Sequence, residues 1–378
     1  MFSKKNIALA FTTTALSLLL AEFVLRAATP KADDFNQHQL YCEYDSLLGW
    51  RKIPNRKGHH KTLEYEVWEN INSQGVRGPE YPVKKDSGEH RIIVLGDSFS
   101  EGYTVGFDSL FSEVLEKNLR ETKPEQRTQV INFGTGGYST DQELLCFERD
   151  AVHYQPDETV LMFCVNDPWF NNQSRYYSRG FKPMFEQAGD SLRLTNVPVP
   201  TMAERSFFSK TKDWLLDNSE LVRRLKNVRD NARYAASGQA VPDEWRIYQK
   251  EKTAEMEAAW QMTAKLLEHL RQKVDATGSN LVVFYIPEKI EVYDADWQEF
   301  LKTYSLSDGK FEATVARDRL QEICDSLSIR LIDPTPVFIE KSKYSPPFYF
   351  KHDWHWNEHG HQLAGEVLAA YFEHTPSH

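Results

Sequence analysis

From Arg91 onward the chain alternates short apolar runs with amphipathic helical patterns, and this rhythm constrains the fold more than any other feature. The runs are Ile92 to Leu95, Val130 to Phe133, Val160 to Val165, Leu281 to Tyr285 and Ile329 to Ile332. They are rich in β-branched residues and bounded by Gly, Asp or Pro, so each reads as a strand buried on both faces. Between them, Leu110, Phe111, Val114, Leu115 and Leu119 share one helical face. Thr140 and Glu143 have the spacing of a capping box before Leu144 and Leu145. Strands alternating with helices imply a parallel sheet with helices on both sides, an α/β fold.

One interval breaks the rhythm. The third strand region ends at Asp167 and the fourth begins at Leu281, so an insertion is expected at about 168–245. It opens with an aromatic piece punctuated by Pro and Gly, from Pro168 to Pro200. A cationic amphipathic stretch follows, with Leu221, Val222, Leu225 and Val228 on one side and Arg223, Arg224, Lys226, Arg229 and Arg233 elsewhere. Such a stretch suits either a solvated helix face or a membrane surface. The long helix after it carries Trp260, Thr263, Leu267, Leu270 and Val274 along one stripe, the spacing of ordinary core packing and of a crossover helix.

Ahead of the rhythm lie two further segments. Lys4 and Lys5 precede an apolar run from Ile7 to Leu25, which at 1.5 Å per residue reaches about 28 Å, roughly one hydrocarbon core. Residues 1–28 are therefore expected to be a membrane anchor or a signal sequence, with the remaining chain outside the cytoplasm. Residues 29–87 form a polar, turn-rich extension in which alternating pieces such as Leu63 to Val67 suggest short strands. Residues 88–378 carry the α/β domain.

Composition removes whole classes of function. Lys and Arg number 45 against 55 Asp and Glu, a net charge of −10, so bulk binding of nucleic acid is not expected. With 40% apolar residues and 18 Gly the chain can bury a large core and is not a disordered protein. Four cysteines without a C-x-x-C pair fit neither a disulfide scaffold nor a zinc ribbon, and Cys146 and Cys164 read as free buried thiols. His352, His355, His359 and His361 lie close together, but His359 and His361 face different ways on a helix and no His-Glu-x-x-His pattern exists. No metal or cofactor is expected.

The chemistry gathers at strand ends. In open α/β sheets the carboxyl ends of strands face the ligand crevice. The first strand ends in Gly96-Asp97-Ser98, the second in Asn132-Phe133-Gly134-Thr135-Gly136-Gly137-Tyr138, and the third in Val165-Asn166-Asp167. Near the C-terminus stands His352-Asp353-Trp354-His355-Trp356-Asn357, a carboxylate beside an imidazole. A serine nucleophile needs a base and a third group to hold that base, and glycine-loop amides can stabilise an anion. Trp169, Phe170, Tyr176 and Tyr177 follow Asn166 directly, and their faces suit sugar rings or acyl chains.

Taken jointly, these pieces resemble the SGNH/GDSL hydrolase superfamily, whose members carry Ser, Gly, Asn and His in four blocks in this order. The resemblance covers roughly residues 88–170 and 280–373, and Asn72-Ser73-Gln74-Gly75-Val76-Arg77 is similar to membrane-anchored bacterial members. It implies a flavodoxin-like three-layer α/β/α sandwich around a mostly parallel five-stranded sheet. It also implies Ser98 as nucleophile, His355 as general base oriented by Asp353, and an oxyanion hole of Ser98, Gly137 and Asn166. Trp169 and Phe170 become candidate substrate contacts. Two departures stand out: Cys164 replaces the usual Gly of the third block, and Asp353 and His355 are separated by one residue rather than two. The one-residue spacing also occurs in alginate-type O-acetyltransferases of the superfamily.

The expected function is a serine esterase or O-acyltransferase acting on acyl, above all acetyl, esters of envelope or secreted carbohydrates. Its expected place is the bacterial inner membrane, single-pass with a periplasmic domain, or the periplasm after signal cleavage. Polysaccharide-assembly proteins are the expected partners. The rivals are a lipid or thioester hydrolase of the same fold and a non-catalytic member of an assembly complex.

Overall fold

The computed structural model describes residues 4–28, 41–177, 180–189, 191–201, 241–306 and 309–374, with scattered positions between 211 and 229. Five strands form the central sheet: β5 (Glu89–Gly96), β6 (Arg127–Asn132), β7 (Glu158–Phe163), β12 (Asn280–Tyr285) and β13 (Arg330–Ile332). Their order is β13-β12-β7-β5-β6 and every pairing is parallel. All five apolar runs became strands, because side chains alternate between two dry faces. Ile92, Val94, Val160, Met162, Val282 and Phe284 pack against helices Phe111–Thr122 and Glu358–His374. Ile93, Leu95, Leu161, Phe163, Val283 and Tyr285 point the other way, onto helices Thr140–Arg149, Ala254–Asp275 and Val315–Ser326. The architecture is an α/β/α sandwich. Each fully buried Ile, Val, Leu or Phe contributes about 1.5–3 kcal/mol.

The remaining strands are small antiparallel hairpins. β1 (Cys42–Asp45) pairs with β2 (Gly49–Lys52), and β3 (Lys57–Lys61) with β4 (Glu66–Asn70). β8 (Arg175–Tyr176) pairs with β9 (Gly180–Phe181), and β10 (Met184–Ala188) with β11 (Ser191–Thr195). The alternating piece Leu63 to Val67 straddles the turn before β4 instead of forming a strand by itself.

Helix Thr140–Arg149 corrects one expectation. Its N-cap is Ser139, so Glu143 falls one position beyond the place a capping box requires. The Thr140 hydroxyl turns to Asp167 Oδ2 at 3.4 Å. Helix Ala254–Asp275 buries Trp260, Thr263, Leu267, Leu270 and Val274 as its spacing predicts. All four cysteines are free thiols.

The chain divides into two compact units, residues 37–201 with 241–378 and residues 1–36 with 202–240. The larger contains the sheet. In the smaller, helix Lys4–Ala28 includes a stretch, Leu9–Ala27, with a mean hydropathy of 1.5, long and apolar enough to cross a membrane. Glu22 on this helix accepts the Ser219 hydroxyl at 2.8 Å and the Glu220 and Leu221 amides at 3.0 Å each. Leu225 and Val228 are exposed, and Arg224 bonds Glu220 at 3.0 Å. Arg223 and Arg233 of the cationic stretch lie outside the described residues.

Candidate active site

The chain passes from β5 to β6 at one edge, then back past β5 to β7, so the direction of winding reverses between β5 and β7. Ligand crevices in such sheets open at the carboxyl ends on either side of a reversal. Here those ends carry Ser98 and Asn166.

Ser98 is the first residue of the one-turn helix Ser98–Glu101, and Asp97 caps that helix by accepting the Phe99 amide at 2.9 Å. The turn from strand to helix is tight enough to require glycine. Gly96 has φ +157°, and a Cβ there would lie 2.0 Å from Ser100 Oγ. The second loop meets the same helix, since a Cβ on Gly134 would lie 2.4 Å from Ser100 Cβ.

Ser98 Oγ lies 2.8 Å from His355 Nε2, and His355 Nδ1 lies 2.6 Å from Asp353 Oδ1. A carboxylate only accepts, so Nδ1 carries the proton and Nε2 presents its lone pair to the serine hydroxyl. Asp353 Oδ1 also accepts the His355 amide at 3.0 Å, the bond that lets a one-residue spacing close. Burial disfavours the imidazolium, but the Asp353 charge outweighs it and holds the His355 pKa above the usual 6.5. For Asp353, burial is overcome by His355 and by the Tyr65 hydroxyl, and its carboxyl sits well below the ordinary range.

Three donors stand at this crevice without protein partners among the described residues: the Ser98 amide, the Gly137 amide and Asn166 Nδ2. The neighbouring loop amides are occupied. Gly134 N–H donates to Asn132 Oδ1 at 2.9 Å, Thr135 N–H to the Gly96 carbonyl at 2.9 Å, and Gly136 N–H to Glu101 Oε2 at 2.6 Å. Such selective satisfaction is notable where nearly every buried N–H finds an acceptor.

Residues of the extension, none of them a candidate site residue from sequence, grip this site. Lys52 Nζ donates to the Gly134 carbonyl and lies 3.7 Å from Glu101, while Trp50 Nε1 donates to the Gly136 carbonyl at 3.1 Å. Arg77 donates to the carbonyls of Glu101, Gly102 and Val105 at 2.7 Å each. Leaving one such buried acceptor without a donor costs about 1–3 kcal/mol. At the other side, Tyr65 and Tyr103 hydroxyls donate to Asp353 Oδ2 at 3.0 and 3.3 Å.

Beneath the crevice lie more carboxyl groups. Glu288, after β12, accepts the Cys164 thiol at 3.7 Å, and burial pushes its pKa up to about 7 against the pull of His355. Burial also raises Asp167, and Asp141 is paired with Lys182 at 2.5 Å. Of the clustered histidines, His361 is a core residue stacked on Phe111, with its pKa lowered to about 3 by burial.

The aromatic wall differs from expectation. Phe170 is only 3% exposed, because the one-turn helix Asp167–Phe170 turns it inward against Tyr176 and Tyr177, and Trp169 packs partly into the core. Rings offered to solvent are Tyr177, 56% exposed, and Trp354, 41% exposed. Trp354 lies 5.7 Å from Trp245, and the Tyr177 hydroxyl reaches Glu244 at 2.6 Å. Its position between Asp353 and His355 was the available signal for Trp354.

Residues 239–378 match the family model described as "SGNH hydrolase-like domain, acetyltransferase AlgX". That segment holds Asp353 and His355, while Ser98 lies outside it. The matched segment, residues 239–378, is similar to an SGNH hydrolase-like domain and makes up less than half of the chain. It is 30% identical over 113 residues to the alginate biosynthesis protein AlgX of Pseudomonas aeruginosa, a match covering 29% of this chain and 22% of that protein. Solved structures similar to it include LAE5, an α/β hydrolase from the metagenome of Lake Arreo in Spain, at 15% identity and a TM-score of 0.41, covering 76% of this chain and 96% of that one. The acetyl xylan esterase AlAXEase is 13% identical with a TM-score of 0.40, covering 74% and 98%.

Proposed function

We propose that the chain is a serine-dependent esterase or O-acyltransferase acting on acyl, chiefly acetyl, esters of envelope or secreted carbohydrates. The observation that carries this reading is the continuous Ser98–His355–Asp353 hydrogen-bond chain, together with three strand-end donors that have no protein partner among the described residues. In the proposed reaction Ser98 Oγ attacks the acyl carbonyl while His355 Nε2 takes its proton. Charge developing on the carbonyl oxygen meets the Ser98 and Gly137 amides and Asn166 Nδ2. The imidazolium, stabilised by Asp353, then protonates the departing sugar oxygen and leaves acyl-Ser98. Water or an acceptor hydroxyl enters, gives its proton to His355, takes the acyl group and restores the serine.

The carbohydrate part of the proposal is supported by the Pseudomonas relative, an alginate biosynthesis protein, and by the exposed ring of Trp354, which stands between Asp353 and His355 in the chain. That same relative supports polysaccharide-assembly proteins as partners. An inner-membrane anchor with a periplasmic domain is supported by the apolar helix and by Lys4 and Lys5 ahead of it. Against a non-catalytic role stands the complete donor and acceptor set.

The test is fluorophosphonate labelling and p-nitrophenyl acetate turnover of the full chain in detergent, beside Ser98→Ala. The wild type should label and turn over, and Ser98→Ala should lose about 10⁴-fold or more in kcat. Equal labelling of the two proteins would sink the proposal. An alkaline phosphatase fusion at the C-terminus should be active in a bacterial host; an inactive fusion would refute the periplasmic placement.

A further inference from the structure

The mechanism leaves unused a four-residue turn between β3 and β4, Thr62-Leu63-Glu64-Tyr65. Its own side chain closes it: Thr62 Oγ1 accepts the Glu64 amide at 3.1 Å and the Tyr65 amide at 3.0 Å, and Thr62 N–H donates to the Tyr65 carbonyl at 2.8 Å. Leu63 at the tip is 67% exposed. The next residue reaches across 287 positions of sequence, where Glu64 Oε1 accepts the Lys351 amide at 2.7 Å. Glu64 Oε2 accepts the amides of His352 and Asp353 at 2.9 Å each. Three successive backbone N–H groups thus converge on one carboxylate, an anion-holding concavity filled by the protein itself. Tyr65, 9% exposed, adds its hydroxyl to Asp353 Oδ2 at 3.0 Å and its ring to Phe350, with centroids 5.1 Å apart. On the far side Lys289 Nζ donates to the Phe350 and Lys351 carbonyls at 3.2 Å each.

We infer that Glu64 and Tyr65 are positioning residues for the acid–base pair, Glu64 fixing the backbone of the Asp353 loop and Tyr65 fixing the rotation of the Asp353 carboxylate. This rests on the proposed serine chemistry. With one residue between Asp353 and His355, a single oxygen, Oδ1, serves both the His355 amide and its Nδ1. That oxygen stays aimed only if the carboxylate cannot spin, and the bonds to Oδ2 oppose the spin, the shorter from Tyr65 at 3.0 Å and the longer from Tyr103 at 3.3 Å. Facing His355 are Asp353, Tyr103 and Ser98 by hydrogen bonds, and Asp97 and Glu288 through their charge. Facing Asp353 are Tyr65, Tyr103, His355 and the buried His60.

The experiment compares the full chain in detergent with Tyr65→Phe, Glu64→Ala, Glu64→Gln, Leu63→Ala and Ser98→Ala, using p-nitrophenyl acetate. Tyr65→Phe should lower kcat about tenfold, some 1.4 kcal/mol of barrier, with KM unchanged. It should also move the acid limb of kcat/KM to higher pH, because a carboxylate that loses a donor holds the imidazolium more tightly. Glu64→Ala should lose as much activity, Glu64→Gln less because its amide oxygen still accepts, and Leu63→Ala nothing. NMR titration of His355, run with Tyr65→Phe in the Ser98→Ala background, should show the same upward shift without turnover. An unmoved His355 titration, or a fall in kcat matched only by a lower Tm, would overturn the inference. Equal hydrolysis by wild type and Ser98→Ala would defeat the serine reading alone, since the NMR titration still decides the positioning role.

Discussion

Ser98 and His355 meet across one hydrogen bond, yet the two sides of that bond are built differently. On the nucleophile side the turn that presents the serine is local: β5 ends, Gly96 permits the turn, Asp97 caps the helix, and Ser98 follows, while Arg77 of the extension braces the end of that helix. The base side is a loop closed by an antiparallel bridge between Tyr349 and Trp356, and it is held from outside by Glu64 and Tyr65 of the extension and by Lys289 after β12. A strand end embedded in a packed sheet keeps its geometry through burial, whereas a loop between distant elements depends more on the partners that reach it. Substitutions on the nucleophile side should therefore remove chemistry while leaving the fold, and those on the base side should misalign groups that remain present.

The largest effect expected from this contrast is that of Asp353→Asn, about 10³–10⁴-fold in kcat, because an amide no longer holds the imidazole in the tautomer that serves Ser98. The wild-type acid limb of kcat/KM should lie above pH 6.5, since a raised His355 pKa means the neutral base is lost as pH falls through it. In the variant the limb should move to lower pH as the anion that raised it is gone. A variant whose limb stays in place would show that Asp353 does not act on His355. Next is Asn166→Ala, for which steady-state kinetics should show about 10²–10³-fold lower kcat with little change in KM. A loss confined to KM would place Asn166 in binding instead. The smallest effect concerns Trp354, whose truncation to Ala should raise KM for an acetylated oligosaccharide about threefold to tenfold and leave p-nitrophenyl acetate unchanged. Equal effects on both esters would remove the ring from substrate recognition.

The same contrast explains what could be read from sequence. Five strands announced themselves because both faces of a parallel sheet are dry, and Ser98 and Asn166 were visible because strand ends mark the crevice. Glu64, Tyr65, Lys52 and Trp50 were invisible, since their partners lie far along the chain and no local spacing encodes them; Tyr65 and Asp353 are 288 positions apart. The Thr140 and Glu143 pair misled for a different reason: a capping motif was read one residue out of phase, and Glu143 is instead buried. Phe170 shows the converse limit, an aromatic at the right place in the chain whose ring faces the core.

The grip of the turn on the distant loop also has a consequence in time. A chain emerging N-terminus first can complete β5, cap the Ser98 helix and form the glycine loop while its last segment is still unmade. Contacts of such long sequence separation form late. Throughout that interval the serine would stand beside its donors without a base, and the Glu64 carboxylate would have no amides to receive. On the proposed chemistry, reactivity is thus withheld from every partly made molecule and begins only when the loop at residues 351–355 closes onto the turn.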